Sequence, residues 1–269
     1  MDTMLLTAGL GALIGLALAL TGAGGGILAM PLLILALHLT VIQAAPIALL
    51  AVGLSALLGA AIAFREKRLR YRAAGLIGIV GVLTAPLGTW AAHQVPIAPL
   101  TVVFALVLSY VAIRMLRDAR TAPADIAADQ KLPCVLNPDE GRLNWTAPCA
   151  RALMATGGLS GVLSGALGVG GGFVIVPSLA RYTNLSQQSV VGTSLGVIAL
   201  VSAGSVTVAA VSGLLLWNIA TPFALGSVVG MLTGSRLSGR LSPGLLKQAF
   251  GTISLLAAVT MIIKAVSAS

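Results

Sequence analysis

From Thr3 to Phe64 the chain runs for 62 residues without one charged side chain. A helix needs roughly 20 apolar residues to cross the hydrocarbon core of a bilayer. A run of this length therefore holds several crossings, not one buried core helix. Further uncharged runs cover 73–113, 152–180, 182–235 and 248–263, broken by Gly, Pro and small polar residues. Over 269 residues, 58% are apolar and 9% charged, against about 25% charged in soluble domains. Too few charges remain to cover a water-exposed surface. That excludes a cytosolic enzyme, a nucleic-acid module and a disordered chain. It predicts an all-α, polytopic membrane protein.

The few charges are mostly basic, 16 Lys and Arg against 7 Asp and Glu, a net +9. Eleven of the 16 basic residues collect in two places, the segment Arg65–Arg72 and the stretch from Arg114 to Arg151. Basic loops between apolar runs are the positive-inside pattern. No continuous basic face exists for phosphates to track, so nucleic acid is excluded as a partner. The lipid bilayer is the expected surrounding; a homo-oligomer is compatible with the sequence but not specified by it. The N-terminal Met1–Met4 carries an acid and no base, so the first apolar run reads as mature protein, not a signal peptide.

The chain also repeats itself. At an offset of 146, residues 11–115 and 157–261 align without a gap and share 21 identities. These include Gly15/Gly161, Pro31/Pro177, Gly88/Gly234, Leu100/Leu246 and Phe104/Phe250. The sharpest match is GxGGGxxxxP, at Gly22–Pro31 and Gly168–Pro177. The organisation expected is membrane repeat 1 over 1–117, a cytoplasmic linker over 118–150 and membrane repeat 2 over 151–269. Each repeat reads as an apolar segment (4–21; 151–167), a Gly-rich break and a short segment (26–37; 172–183). Three full-length helices follow (42–64, 73–92, 97–117; 188–210, 217–238, 244–265).

Charge decides how the repeats face each other. If each broken pair crosses the membrane, the halves are parallel and 12 of 16 basic residues share a side. If each broken pair is a hairpin, the halves are inverted and 15 of 16 share a side, with only Lys264 opposite. The basic 65–72 loop matches an uncharged Val211–Trp217, and Arg240 sits where the first half is uncharged. The expected fold is therefore two inverted-topology repeats, each a Gly-broken hairpin plus three transmembrane helices. Both termini are expected in the periplasm of a bacterial inner membrane, with the linker in the cytoplasm. Inverted repeats with matching interrupted segments point to a transporter.

The breaks are the candidate site. Glycines leave backbone N–H groups open to a ligand, and a helix starting there presents free donors and a partial positive charge. Two such starts meeting at the midplane hold an anion without a buried cation. Close helix packing through small residues is the competing explanation. The candidate ligand-binding residues are Gly22, Gly24, Gly25 and Gly26 in the first half, and Gly168, Gly170, Gly171 and Gly172 in the second. Thr193 and Ser194 join them, with Thr21 and Gln43; Thr21 and Ser164 flank the two breaks. Thr193 and Ser194 match apolar Ile47 and Ala48, so side-chain contacts are expected mainly from the second half.

All seven acids lie outside the expected spans, which removes a carboxylate proton relay. His38 and His93 read as interfacial. Cys134 and Cys149 lie in the linker, where a cytoplasmic setting argues against a stable disulfide, and no histidines accompany them for zinc. No catalytic constellation, metal site or cofactor is expected.

The paired GxGGGxxxxP blocks, the Gly192–Ser194 triplet and the Leu246–Gly251 element together resemble the TauE/SafE sulfite-exporter family of bacterial membrane proteins. The resemblance covers nearly the whole chain outside the linker. It implies export of sulfite, sulfoacetate or other organosulfonates, here by alternating access. The rival expectations are an anion channel without conformational coupling and a non-transporting scaffold or sensor.

Overall fold

The computed structural model describes residues 2–22, 24–94, 97–120, 132–137, 142–211, 213, 215–237, 248 and 251–260. The elements in chain order are α1 (Asp2–Thr21), α2 (Gly24–Leu37), α3 (Val41–Arg65), α4 (Tyr71–Gln94) and α5 (Ile97–Arg120). A two-residue antiparallel ribbon follows, β1 (Leu136–Asn137) with β2 (Arg142–Leu143). Then come α6 (Ala147–Leu167), α7 (Gly172–Tyr182), α8 (Gln187–Val211), α9 (Trp217–Leu237) and α10 (Gly251–Thr260). The chain is thus essentially all helical. Of the expected 244–265 helix, Gln248 and α10 lie among the described residues, and of the Leu246–Gly251 element only Gln248 and Gly251 do.

Among the described residues four helices are long and apolar enough to cross a membrane, over Met4–Thr21, Gln43–Arg65, Tyr71–Ala92 and Gln187–Val211. Of the three full-length spans expected in each half, two of the first and one of the second are among these, and α9 is diluted by Ser, Thr and Gly. The 14-residue α2 and 11-residue α7 reach about 21 and 17 Å, short of a core about 30 Å thick. Outward-facing Leu57, Ile79, Leu83, Val208 and Leu225 are exposed, as contact with lipid requires.

Helix directions follow from which residues meet. Gly25 of α2 lies against Ile14 and Leu18, so α2 folds back along α1. Gly171 lies against Ser160, so α7 folds back along α6 in the same way. Gly53, Gly59 and Gly192 meet Ser202, Leu195 and Ala63, so α3 and α8 run in opposite directions. By contrast α1 runs with α9, since Ala12 meets Gly230 and Ala19 meets Gly234. Likewise α6 runs with α4, since Gly157, Gly161 and Gly165 meet Ile77, Gly81 and Ala85.

These last two pairs are the tightest in the molecule. Glycines four residues apart let one backbone sink against the next. A Cβ at Gly15, Gly161, Gly165 or Gly230 would run into a carbonyl of the neighbouring helix. Close approach of this kind holds membrane helices together where no hydrophobic drive exists between them. Two bundles result, α1 with α3 and α9, and α4 with α6 and α8, meeting along α3 and α8. Each contains helices from both halves of the sequence.

One expectation is overturned outright. Cys134 and Cys149 form a disulfide with Cα atoms 4.9 Å apart, and both residues are fully buried. Two contacts fold the linker back far enough to bring them together. The Cys134 amide donates to the Tyr182 carbonyl at the end of α7, and the Leu136 amide to Asn184 Oδ1. Thr146 caps α6 through the Cys149 amide and donates to the Pro133 carbonyl. A spacing of 15 residues alone contains none of this.

Candidate functional site

The two glycine breaks come together. Gly26, in the first turn of α2, lies against the Val169 carbonyl of the second break, and Val52 of α3 touches both Gly26 and Gly170. Val52 and Gly53 are the middle of α3, and Ser202, beside Gly170, is near the middle of α8. The meeting point is therefore about halfway along the two long central helices. Irregular backbone at such depth persists only where protein or a water-filled cavity satisfies it.

Each break seats on the central helix of the other half. Gly22, at φ 72°, sits on Val191 and Ser194 of α8. Gly168, at φ 66°, sits on Ala45 of α3, the residue that matches Val191 at the 146 offset. Ser194 secures the first seat, its hydroxyl donating to the carbonyls of Gly22 (3.1 Å) and Val191 (2.8 Å). Ser160 secures the second from α6, donating to the Gly171 carbonyl at 3.2 Å.

The second break is a run of left-handed turns. Gly168, Gly170 and Gly171 all adopt left-handed φ, at 66°, 75° and 66°, a conformation that favours glycine. The chain so bent closes onto α6 at Gly168 and onto itself at Val174 and Ile175. Between these closures the amides of Val169 through Phe173 donate to no backbone carbonyl among the described residues. Successive free N–H groups at a left-handed bend and a helix start make a concavity for anions. Beside it a small apolar depression is lined by Ile27, Val169 and Phe173 with Val107, Leu108 and Val111 of α5. Ile27 and Phe173 are themselves a matched pair at the 146 offset.

The expected site residues divide accordingly. Gly22, Gly25, Gly26, Gly168, Gly170, Gly171 and Gly172 are gathered and buried at the two breaks, and Gly24 begins α2 beside them. Ser194 touches the first break but spends its proton on the protein. Thr21 donates to the Ala17 carbonyl one turn back. Thr193 is brought elsewhere: buried, it accepts from the Arg70 amide at 3.2 Å and anchors the basic loop. Gln43 is exposed and its Oε1 takes the Thr40 amide, capping α3.

Sequence reasoning missed Val52, Ser160 and Ser202. The two serines had no signal of their own, since their matches in the first half are Ile14 and Ala56. Glu66 stays outside the spans, exposed and paired with Arg68 at 3.1 Å. His38 lies exposed in the turn between α2 and α3 at φ 52°, and the His93 side chain lies outside the described residues. Among the described residues no cluster of three metal-ligating side chains exists.

A family model described as "Sulfite exporter TauE/SafE" matches residues 7–261. A probable membrane transporter protein of Xylella fastidiosa strain Temecula1 is 32% identical over 269 residues, covering 97% of this chain and 95% of the relative. Its counterpart in strain 9a5c is 31% identical over 275 residues, with the same coverage of both chains. No solved structure matches the chain.

Proposed function

On the premise that the chain belongs to the TauE/SafE family, a family of multi-pass membrane transporters rather than enzymes, we propose that it exports small sulfur-containing anions across the bacterial inner membrane. Sulfite, sulfoacetate and other organosulfonates present oxygen acceptors that suit a site made of N–H donors. The carrying observation is the meeting of the two breaks beside Val52, midway along α3 and α8. The amides around Gly24–Gly26 and Gly170–Gly172 take the anion, with the two helix starts supplying partial positive charge. A site with no buried fixed cation binds weakly enough to release its cargo.

The inverted-repeat reading draws on the directions of the helices. α3 and α8, matched at the 146 offset, run oppositely, and each short helix folds back along the one before it. Under this reading the basic loop 65–72, the linker and Arg236 share one face, taken as cytoplasmic by the positive-inside rule. The Cys134–Cys149 disulfide lies on that face too. The basic face also concentrates anions before export.

Alternating access is the mechanism proposed, by analogy with other inverted-repeat carriers. The bodies that rock are the two mixed bundles, because α1 and α6 are embedded in the opposite half's helices. The test is sulfite flux in liposomes with Gly26→Leu or Gly170→Leu. Both side chains would enter the meeting point beside Val52, and flux should fall to the protein-free background while the variants still elute as folded protein. Wild-type flux in such variants refutes the site. Counter-flow of labelled sulfite separates a carrier from a pore.

A further inference from the structure

Serine and threonine in membrane helices normally bond a carbonyl one turn back. On α8, Ser205 and Thr207 do so, to Val201 and Ala203; on α6, Thr156 does so, to Ala152. Two serines do not. Ser164 of α6 and Ser202 of α8 are both 0% exposed, and their hydroxyls have no hydrogen-bond partner among the described residues. A buried polar group left unpaired is costly, and native proteins retain few.

Both lie at the second break. A Cβ on Gly170 would sit 3.5 Å from Ser202 Oγ. Ser164 is one turn beyond Ser160, on the face of α6 that meets Gly171, and its carbonyl takes the Gly168 amide. The same break carries the unbonded amides of Val169–Phe173. We infer that Ser164 and Ser202 are ligand-binding hydroxyls, completing with these amides an off-centre, donor-only pocket for an oxyanion group on the second break. The inference rests on the transporter reading of the breaks and names the side chains that reading lacks.

The placement is one-sided. The matching residues of the first half are Leu18 and Ala56, which donate nothing. An ion held here therefore lies against the second break, while the first break closes over it through Gly26. A group with several acceptor oxygens satisfies both hydroxyls and the amides together. A halide, with no directed acceptors, gains less from that geometry.

The test uses the full chain, purified and reconstituted, with labelled sulfite as probe. Ser164→Ala, Ser202→Ala and the double variant are compared with Ser205→Ala, whose hydroxyl is satisfied by its own helix. Each single change should raise KM for sulfite about tenfold or more, the scale of one lost hydrogen bond to an anion, with Vmax little changed. Without sulfite the variants should melt no lower than wild type, because an unpaired hydroxyl has been removed. The rise in melting temperature that sulfite gives wild type should shrink, and Ser205→Ala should keep it.

An unchanged KM in the double variant overturns the assignment. So does a lower melting temperature with the sulfite-induced rise intact, which marks a structural role. A sodium dependence of flux that Ser202→Ala abolishes also overturns it, since the hydroxyls then ligate a cation. If wild type moves no sulfite, the transporter reading fails, and the thermal shifts alone decide whether the two serines bind it.

Discussion

Small hydroxyls decide the shape of this centre residue by residue. Ser194 and Ser160 each hold a break in place through one of its carbonyls, and both come from the second half of the chain. Ser194→Ala should cost about 1 kcal/mol, the usual net value of such a bond, read as a lower melting temperature. Flux should suffer beyond that stability loss, because the released Gly22 carbonyl no longer fixes the first seat. The sequence signalled the glycines well, since a GxGGG block duplicated at one offset stands out against any apolar background. The hydroxyl roles were not legible. Thr193 and Ser194 are neighbours in the chain, yet one faces the basic loop and the other the first break. The phase of a helix relative to its partners assigns those roles, and composition does not contain it.

Elements were more legible than contacts. The expected helices 42–64 and 188–210 appear as Val41–Arg65 and Gln187–Val211. Both are 25 residues long and begin 146 apart. Charge and Gly/Pro punctuation mark where an apolar helix must leave the membrane, so boundaries survive translation into structure. What each helix packs against was not legible, because every span is apolar and any could face any other. Spaced glycines settled it. Gly230→Val should prevent α9 from seating on Ala12 of α1, seen as loss of the monodisperse peak in detergent. Gly75→Ala, where a Cβ meets nothing within 4 Å, should be neutral or stabilise by up to about 1 kcal/mol through helix propensity.

Taken whole, the molecule does not divide where its sequence does. The expected division at 118–150 describes the order of the chain, whereas packing joins α1 to α9 and α4 to α6. The moving bodies proposed above can be told apart by cross-linking, with Cys134 and Cys149 replaced by serine. Ser55→Cys with Ser227→Cys joins α3 to α9 inside one bundle, where the two hydroxyls are now 2.9 Å apart. Flux should survive that bond. Ala63→Cys with Gly192→Cys joins α3 to α8 across the bundles, and flux should stop until a reductant is added. Equal flux in both cross-linked proteins would discard the two-bundle motion.

The disulfide makes the two hairpins mechanically unequal. Cys149 lies in the first turn of α6, and the Cys134 amide is bonded to Tyr182, the last residue of α7. The feet of the second hairpin are thereby buckled together, and its tip inherits the stiffness of a closed ring. The first hairpin runs from the N-terminal helix into the three-residue turn His38–Thr40 and, among the described residues, has no such buckle. One jaw of the proposed site is fastened covalently at its base, and the other, among the described residues, is not.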